Sequence, residues 1–478
     1  MRRTPLSAAL FVVSFVSRAA LAQPAEPPAR APVPTPPAPT VPTAQLPPEP
    51  EVDDPMLAAV ARPKTEIATW EDALRHVRAR STDLRIAAQE IARAEAQSRI
   101  ALAGALTTVT GQGTYTHNII TNPTLQPARA GSGYGFRPVR TPFPDFVNGS
   151  LVASQPVFAM RSWYAIGTAE HNESIAHLSL EDTKRLIALN VANAIVGVVT
   201  AERLAELNRL GLRNALTRLE LAKRRSTLGS GTGLDVVRAR QDVETARAVL
   251  VAGDESLRQS REALGLALGL PEQVGVPPTV DINGLEASAR ASCKAAPTID
   301  DRPDLAALHE RTEVARRLVK DAKYQFVPTV DVRSAVGTTT IDTGAAPNTT
   351  WNVQAVLTVP IWDGGIRYGN LRDTRAQEII AGQRLEAARR QATIEVTQAR
   401  RGVSVAEDRR RVAGETRDLA AENDRLTRTA YLEGRGTSLE LVTAAQALRE
   451  AEIQLAVRDF ELVRARVLAI LALASCPW

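Results

Sequence analysis

The sequence predicts a mainly helical protein with a transmembrane β portion, written twice as a helix–strand–strand–helix–helix unit. Three observations carry this prediction. Two runs without proline, 114 and 116 residues long, occupy 157–270 and 361–476. A glycine-rich turn recurs inside each run at a constant offset, and short segments ahead of each run alternate apolar and polar residues. Composition points the same way: aromatics are only 4% of 478 residues while Ala, Leu, Arg and Glu dominate, which favours long helices over sandwiches or propellers. The formal charge of +5 is a small difference between 58 basic and 53 acidic side chains, so no nucleic acid partner is expected. No stretch approaches the roughly 18 consecutive apolar residues of a membrane helix, so a membrane would have to be crossed by strands.

Residues 1–22 read as an export signal peptide. Arg2 and Arg3 precede an apolar run from Leu6 to Val16, and Ala20-Leu21-Ala22 offers small residues at the cleavage positions. Cleavage is expected after Ala22, and no cysteine follows the run to take a lipid. Residues 23–62 are expected to be a Pro-rich disordered tether. Thirteen of the 33 residues from Gln23 to Pro55 are proline, and too few large apolar groups remain to offset the entropy of ordering.

The first repeat is expected over 63–280. Its strands fall at about 106–118 and 147–157, with Val109, Gly111, Gly113 and Tyr115 alternating against Thr108, Thr110 and Gln112. A long helix follows over about 159–228, because proline's missing N–H and ring clash exclude it from helix interiors. Leu204, Leu207, Leu212, Leu216 and Leu219 recur there at helical spacing between charges. Roughly 70 residues at about 1.5 Å each make a rod on the order of 100 Å. The cluster Gly229-Ser230-Gly231-Thr232-Gly233 then turns the chain. A phosphate-binding loop would have to follow a strand, whereas Leu219 to Ser226 is a charged helical segment.

A linker is expected over 281–303 and the second repeat over 304–476, with strands at about 328–340 and 350–359, a long helix over about 363–432 and a turn at 434–437. Trp351, Val353, Ala355, Leu357 and Val359 share one face while Asn352, Gln354 and Thr358 lie on the other, the period of a wall between two environments. Gly229 to Val237 matches Gly434 to Val442 at an offset of 205, which also sets Gln241 on Gln446. Gln155-Pro156-Val157-Phe158 falls on Val359-Pro360-Ile361-Trp362 at 204, while Asp83-Leu84 falls on Asp304-Leu305 at 221. By that difference the first copy holds about 17 more residues between its strands, where Pro, Gly and Asn mark a longer loop. Strands of about ten residues can cross an outer membrane, but four cannot close a barrel, so a membrane role implies oligomerisation.

In this order and spacing the chain from Thr69 to Ala474 resembles the TolC family of outer-membrane efflux proteins. The stretch Val-Pro-Ile-Trp-Asp-Gly-Gly-Ile-Arg-Tyr-Gly-Asn at 359–370, Arg-Pro-Asp-Leu at 302–305 and the second turn from Tyr431 to Val442 carry the resemblance. It implies a homotrimer in which four strands per protomer complete one twelve-stranded β-barrel, continuous with a long periplasmic α-helical barrel. It implies a place in the cell outer membrane, among its lipids, and export through a tripartite efflux or type I secretion system. The turns Gly229, Ser230, Gly231, Gly434, Arg435 and Gly436 would then meet a periplasmic adaptor (membrane-fusion) protein and an inner-membrane pump. Where Asp363-Gly364-Gly365 opens the second long helix the first copy has Ala159-Met160-Arg161, so the two junctions are expected to bend differently.

For the closed tunnel the resemblance implicates residues just past the turns. An acidic pair of the family falls on Glu440 and Thr443, and symmetry-related Glu440 carboxylates would form a cation-favouring constriction ring. The competing reading is a plain helix-start acid, stabilised by the N-terminal dipole. Asp235 stands for an aspartate that the family holds with a tyrosine and an arginine. Tyr431 matches the tyrosine, but Gly436 occupies the arginine's position with Arg435 beside it, so the latch is expected to be weaker or built from Arg435.

The five histidines show no i,i+4 pair and no attendant cysteine, so no metal or cofactor is expected, and no nucleophile elbow or metalloprotease motif suggests an enzyme. Cys293 and Cys476 both fall where a copy ends, and the resemblance runs those segments side by side. In an oxidising compartment they would form a disulfide; two small buried thiols are the alternative. An exported structural coiled coil that spans the periplasm without transport would explain the helices but not the paired strands.

Overall fold

The computed structural model describes residues 52–130, 133–278, 282–341, 347–476 and 478, so the export signal and the tether as far as residue 51 lie outside the described residues. The first copy comprises Thr65–Glu66 (β1), Trp70–Arg80 (α1), Thr82–Ala103 (α2), Thr108–His117 (β2), Asn122–Ala130 (β3), Gly133–Thr141 (β4), Asp145–Phe158 (β5), Met160–Thr227 (α3) and Gly233–Ala267 (α4). Val274–Gly275 (β6), Ile282–Ser292 (α5) and Lys294–Ala295 (β7) follow. The second copy is Pro303–Tyr324 (α6), Thr329–Thr339 (β8), Thr349–Thr358 (β9), Ile366–Leu432 (α7), Ser438–Leu471 (α8) and Ala474–Ser475 (β10). The 68-residue α3 and 67-residue α7 occupy the two proline-free runs.

Short polar residues start the helices where the sequence places them. Thr69 accepts a hydrogen bond from Asp72 N at 3.1 Å and Ser81 from Leu84 N at 3.3 Å, each satisfying an N–H that the first turn leaves orphaned. The main core lies midway along the rods. Ile187, Val191, Ile195 and Val198 of α3 pack there with Trp70, Leu74 and Val77 of α1, Leu264 of α4, and Val467 and Leu471 of α8. This explains why α3 alone, among the described helices, is apolar enough to cross a membrane by composition: half of its most apolar stretch is core.

The four strands that alternation marks form one antiparallel sheet in the order β2-β5-β8-β9. Register aligns Val109, Ala153, Ser334 and Val353 in one row, and Gly111, Leu151, Val336 and Trp351 in the next. Directly opposed residues share a face, so these rows make a single apolar surface. Val109, Leu151, Trp351 and Val353 are all exposed in the protomer. The other face carries Thr108, Ser154, Arg333 and Gln354, then Thr110, Val152, Ala335 and Asn352.

Three segments depart from the sequence expectation. The tether is not an unattached spacer as far as residue 62. Asp54 caps a 3-10 turn at Pro55–Leu57, Met56 and Leu57 pack on the cluster of Leu212, Ala215, Val243, Ala246 and Leu250, and Val60 packs on Ala201, Ala205 and Leu257. Arg247 Nη2 donates to Asp54 Oδ2 at 2.6 Å and Arg261 Nη1 to the Ala61 carbonyl at 2.8 Å, so residues 54–61 form a strap along α3 and α4. The physical reason is composition: unlike the proline-dense stretch before it, this end has three large apolar side chains to bury.

The expected linker contains a folded helix, α5, because Leu285 and Cys293 join the main core and Trp70 Nε1 donates to Ser292 Oγ at 3.0 Å. Antiparallel pairing of Ala474 with Ala295 and Ser475 with Lys294 brings the two copy ends together, and Cys293 and Cys476 form a disulfide with Cα atoms 4.1 Å apart. The longer loop of the first copy folds as a hairpin, β3–β4, in register from Asn122 with Thr141 to Ala130 with Gly133. Its prolines read as loop signals, yet in a two-stranded ribbon a proline can sit on the outer edge, where its missing N–H breaks no ladder bond.

The two strand-to-rod junctions also differ. Ala159 precedes α3 without a side-chain cap. Before α7, Gly364 and Gly365 take φ of +71° and +93°, and Asp363 accepts from Gly365 N and Arg367 N, both at 3.1 Å. Arg367 Nε also donates to Asp363 at 2.7 Å, which locks that bend.

Candidate gate at the helical tips

Both tips are closed by the same backbone device. The Arg225 carbonyl accepts from Ser230 N and Gly231 N at 3.0 Å, and the Ala430 carbonyl accepts from Arg435 N at 2.9 Å and Gly436 N at 3.0 Å. Gly229 and Gly434 take the left-handed φ of +73° and +77° that ends each rod. At Gly436 an added Cβ would stand 3.0 Å from Tyr431 N, so a side chain there would crowd the turn.

Past each turn the chain re-enters a helix through a capping box, which satisfies two orphan N–H groups reciprocally. Asp235 N donates to Thr232 Oγ1 at 3.3 Å while Thr232 N donates to Asp235 Oδ2 at 3.0 Å. Glu440 N donates to Thr437 Oγ1 at 3.2 Å while Thr437 N donates to Glu440 Oε2 at 2.8 Å. The Thr437 N–H holds the Glu440 carboxyl below its ordinary range. Asp235 is lowered first by the Ser438 hydroxyl and then by the Thr232 N–H.

That Ser438 contact is one of the cross-links between the two hairpins: its Oγ donates to Asp235 Oδ1. The latch expected through Tyr431 and Arg435 is therefore not the one formed within the protomer. Arg435 lies at the outermost point of its turn, largely in solvent, and pairs with Glu433 at 2.8 Å. Tyr431 buries its ring beneath Arg225, whose guanidinium carbon is 4.3 Å from the ring centroid and whose Nη1 donates to the Tyr431 carbonyl at 3.0 Å. Ser438 wins because the first residue of α8 abuts the first turn of α4, within reach of a short hydroxyl. Thr443 turns its hydroxyl back onto the Leu439 and Glu440 carbonyls at 2.9 and 3.0 Å.

One residue of this region escaped the sequence reading. Asp242, two turns above the tip and 2% exposed, accepts from Arg218 Nη2 at 2.6 Å and Gln446 Nε2 at 3.0 Å, tying α3, α4 and α8 together. The alignment of Gln241 with Gln446 pointed to the right level but the wrong residue, because the repeat equivalent of Asp242 is Ala447. Among the described residues no group of three or more His, Cys, Asp or Glu gathers as for a metal ion.

A sheet with one apolar exposed face, feeding two rods that end in capped and cross-linked tips, defines the class of channel protomers that join a membrane barrel to a helical tunnel. The family model described as outer membrane efflux protein matches residues 73–270 and 298–469, and the chain belongs to that family. It is 26% identical over 204 residues to the toluene efflux pump outer membrane protein TtgF of Pseudomonas putida, covering 41% of this chain and 42% of that protein. The chain thus spans less than half the length of that relative. It is 21% identical over 333 residues to the alkaline protease secretion protein AprF of Pseudomonas aeruginosa, 67% of this chain and 68% of that one. The fold matches the outer membrane protein VceC of Vibrio cholerae with a TM-score of 0.69 at 18% identity, over 84% of this chain and 95% of that one.

Proposed function

We propose that the chain is the channel subunit of an export system. Three copies close a twelve-stranded barrel in the outer membrane and continue as a helical tunnel whose tips meet a periplasmic adaptor and an inner-membrane pump. The sheet register carries this reading, because it gathers the apolar side chains of four strands onto one exposed face and the polar ones onto the other. Exposed aromatics bracket that face, with Tyr115 and Trp351 at the end away from the rods and Phe158, Trp163 and Trp362 near them. From Trp351 to Val359 the chain advances about 27 Å at about 3.4 Å per residue, close to the roughly 25 Å apolar band of such barrels.

Partner copies are supported by α7, where Val405, Val412, Leu419 and Leu426 are exposed at intervals of seven, the spacing of a coiled-coil seam. The relatives are named for toluene efflux and for protease secretion, which supports export in general; in this reading the pump chooses the cargo. In the closed tunnel the Asp235–Ser438 bond holds the two hairpins of each protomer together, and the Glu440 carboxylates ring the entrance. Light scattering of the detergent-extracted protein should give the mass of three chains, and planar bilayers should show discrete channels. A monomer, or bilayers without channels, would overturn the reading.

A further inference from the structure

The first copy carries an element that neither the rods nor the four-stranded sheet uses. Strands β3 and β4 pair only with each other, as a separate two-stranded sheet. They continue from the end of β2 that lies away from α3, past Tyr115 and His117, and so lie beyond the aromatic belt on the side opposite the tunnel. From Asn118 to Pro144 the sequence has Arg129, Arg137 and Arg140 and no Asp, Glu or Lys. The corresponding loop of the second copy, 340–348, is shorter and has one aspartate and no basic residue.

Apolar exposure accompanies this charge. Ile119 is 90% exposed, Ile120 79%, Phe136 73% and Leu125 69%. Register sets Pro123 opposite Arg140, Leu125 opposite Pro138 and Pro127 opposite Phe136, so Leu125, Phe136 and Arg140 share one face. Arg140 is exposed and has no acidic partner among the described residues. The acid at the base of the hairpin, Asp145, is already engaged by the Tyr115 hydroxyl and His117 Nδ1, both at 2.7 Å. Large apolar side chains that share a face with an exposed, uncompensated arginine suit an interface that offers acyl chains and phosphates together.

We propose that the face of the β3–β4 hairpin that carries Leu125, Phe136 and Arg140 binds phosphate-bearing lipid of the outer leaflet, Arg140 engaging a headgroup phosphate while Leu125 and Phe136 lie against the lipid. The proposal rests on the outer-membrane reading and adds a lipid site to it. Native mass spectrometry of the full chain in detergent, titrated with diphosphoryl lipid A, tests it. Wild type should retain this lipid at about 0.15 M salt and release it near 1 M, as screening requires. The variant Arg140→Gln should bind roughly fivefold more weakly, with oligomer mass and conductance unchanged. Wild type should hold dephosphorylated lipid A as weakly as the variant holds the phosphorylated form, and millimolar inorganic phosphate should not displace the lipid.

Equal retention by wild type and variant, or of phosphorylated and dephosphorylated lipid by wild type, overturns the proposal. Displacement by inorganic phosphate would likewise overturn it, by making free phosphate the ligand. Should the variant not assemble, the wild-type comparison of the two lipids decides. A wild type that forms channels yet ignores the headgroup phosphate refutes the lipid site alone, whereas a wild type that forms no channel refutes the reading beneath it.

Discussion

The two long hairpins share a backbone plan and differ in what covers them. Helix α3 buries side chains at most turns from Ala169 to Ala222, whereas α7, nearly as long, buries only Arg367, Ala392, Val396, Ala406 and Tyr431. At the repeat offset Leu212, in the cluster that seats the strap, becomes Arg417, and Arg247 becomes Glu452. Duplication thus preserved rods, turns and capping boxes, which depend on backbone geometry, while the surfaces diverged with position. The first hairpin receives both the strap and α8, while the second leaves Val405, Val412, Leu419 and Leu426 of α7 exposed.

The largest expected effect tests what joins the copies. Replacing Cys476 with Ser should lower stability by about 3–5 kcal/mol, since the bond closes a loop of well over a hundred residues in the unfolded chain. Thermal unfolding with and without reductant measures it. Two thiols that label with maleimide in unreduced, denatured protein would show that the copies are not bonded.

Next comes the equivalence of their strands. Val353→Arg and Ala153→Arg lie in one register row of the apolar face, one from each copy. Each should impair insertion by about 2–4 kcal/mol near the bilayer midplane. Gln354→Arg, in the row that already contains Arg333, should be tolerated, and Leu357→Arg, closer to the rods, should cost less than Val353→Arg. Folding yield into lipid vesicles reads all four. Equal yields for Val353→Arg and Gln354→Arg would mean that the faces are misassigned.

Arg247→Glu gives the first hairpin the residue of the second and should loosen the strap by about 1–2 kcal/mol, since the ion pair is partly exposed. Limited proteolysis should then cut within 54–61, and no new cleavage would deny the clasp its role. Acid should mimic the variant. Asp54 is held below its ordinary value of 3.8, chiefly by the Arg247 hydrogen bond. Its contribution is therefore complete above about pH 4 and lost as pH falls through the lowered value.

The smallest effect on stability belongs to the tips. Asp235→Asn should cost about 0.5–1 kcal/mol through its cap and raise resting conductance by weakening the Ser438 tie. Glu440→Gln keeps an oxygen acceptor for its own cap and should change cation selectivity with little loss of stability. Unchanged currents in both variants would move the gate elsewhere.

The rods and the sheet were legible in the sequence because one physical rule repeats along each: proline exclusion over more than a hundred residues, and alternation over ten. The turns were legible because left-handed φ demands glycine. What escaped depended on contacts between distant segments. Nothing near Asp54 announces Arg247, and nothing near Asp235 announces Ser438, 203 residues away. The family's tyrosine and arginine drew attention to Tyr431 and Arg435, while the bond went to an ordinary serine at a helix start. The β3–β4 hairpin escaped for a different reason, since prolines, which usually mark loops, sit in both of its strands and glycines in β4.

The strap also has a consequence in time. Asp54 and Arg247 are 193 residues apart in sequence. Bringing such ends together costs loop-closure entropy, which grows as the logarithm of length, before any contact is gained. Contacts between α3 and α4 span only one turn and form early, as low-contact-order pairings do. The strap therefore settles only on a hairpin that is already complete, and on unfolding it leaves first. Its amides should exchange with solvent well ahead of those in the main core, which makes residues 54–61 a reporter of whether the rods beneath them have finished folding.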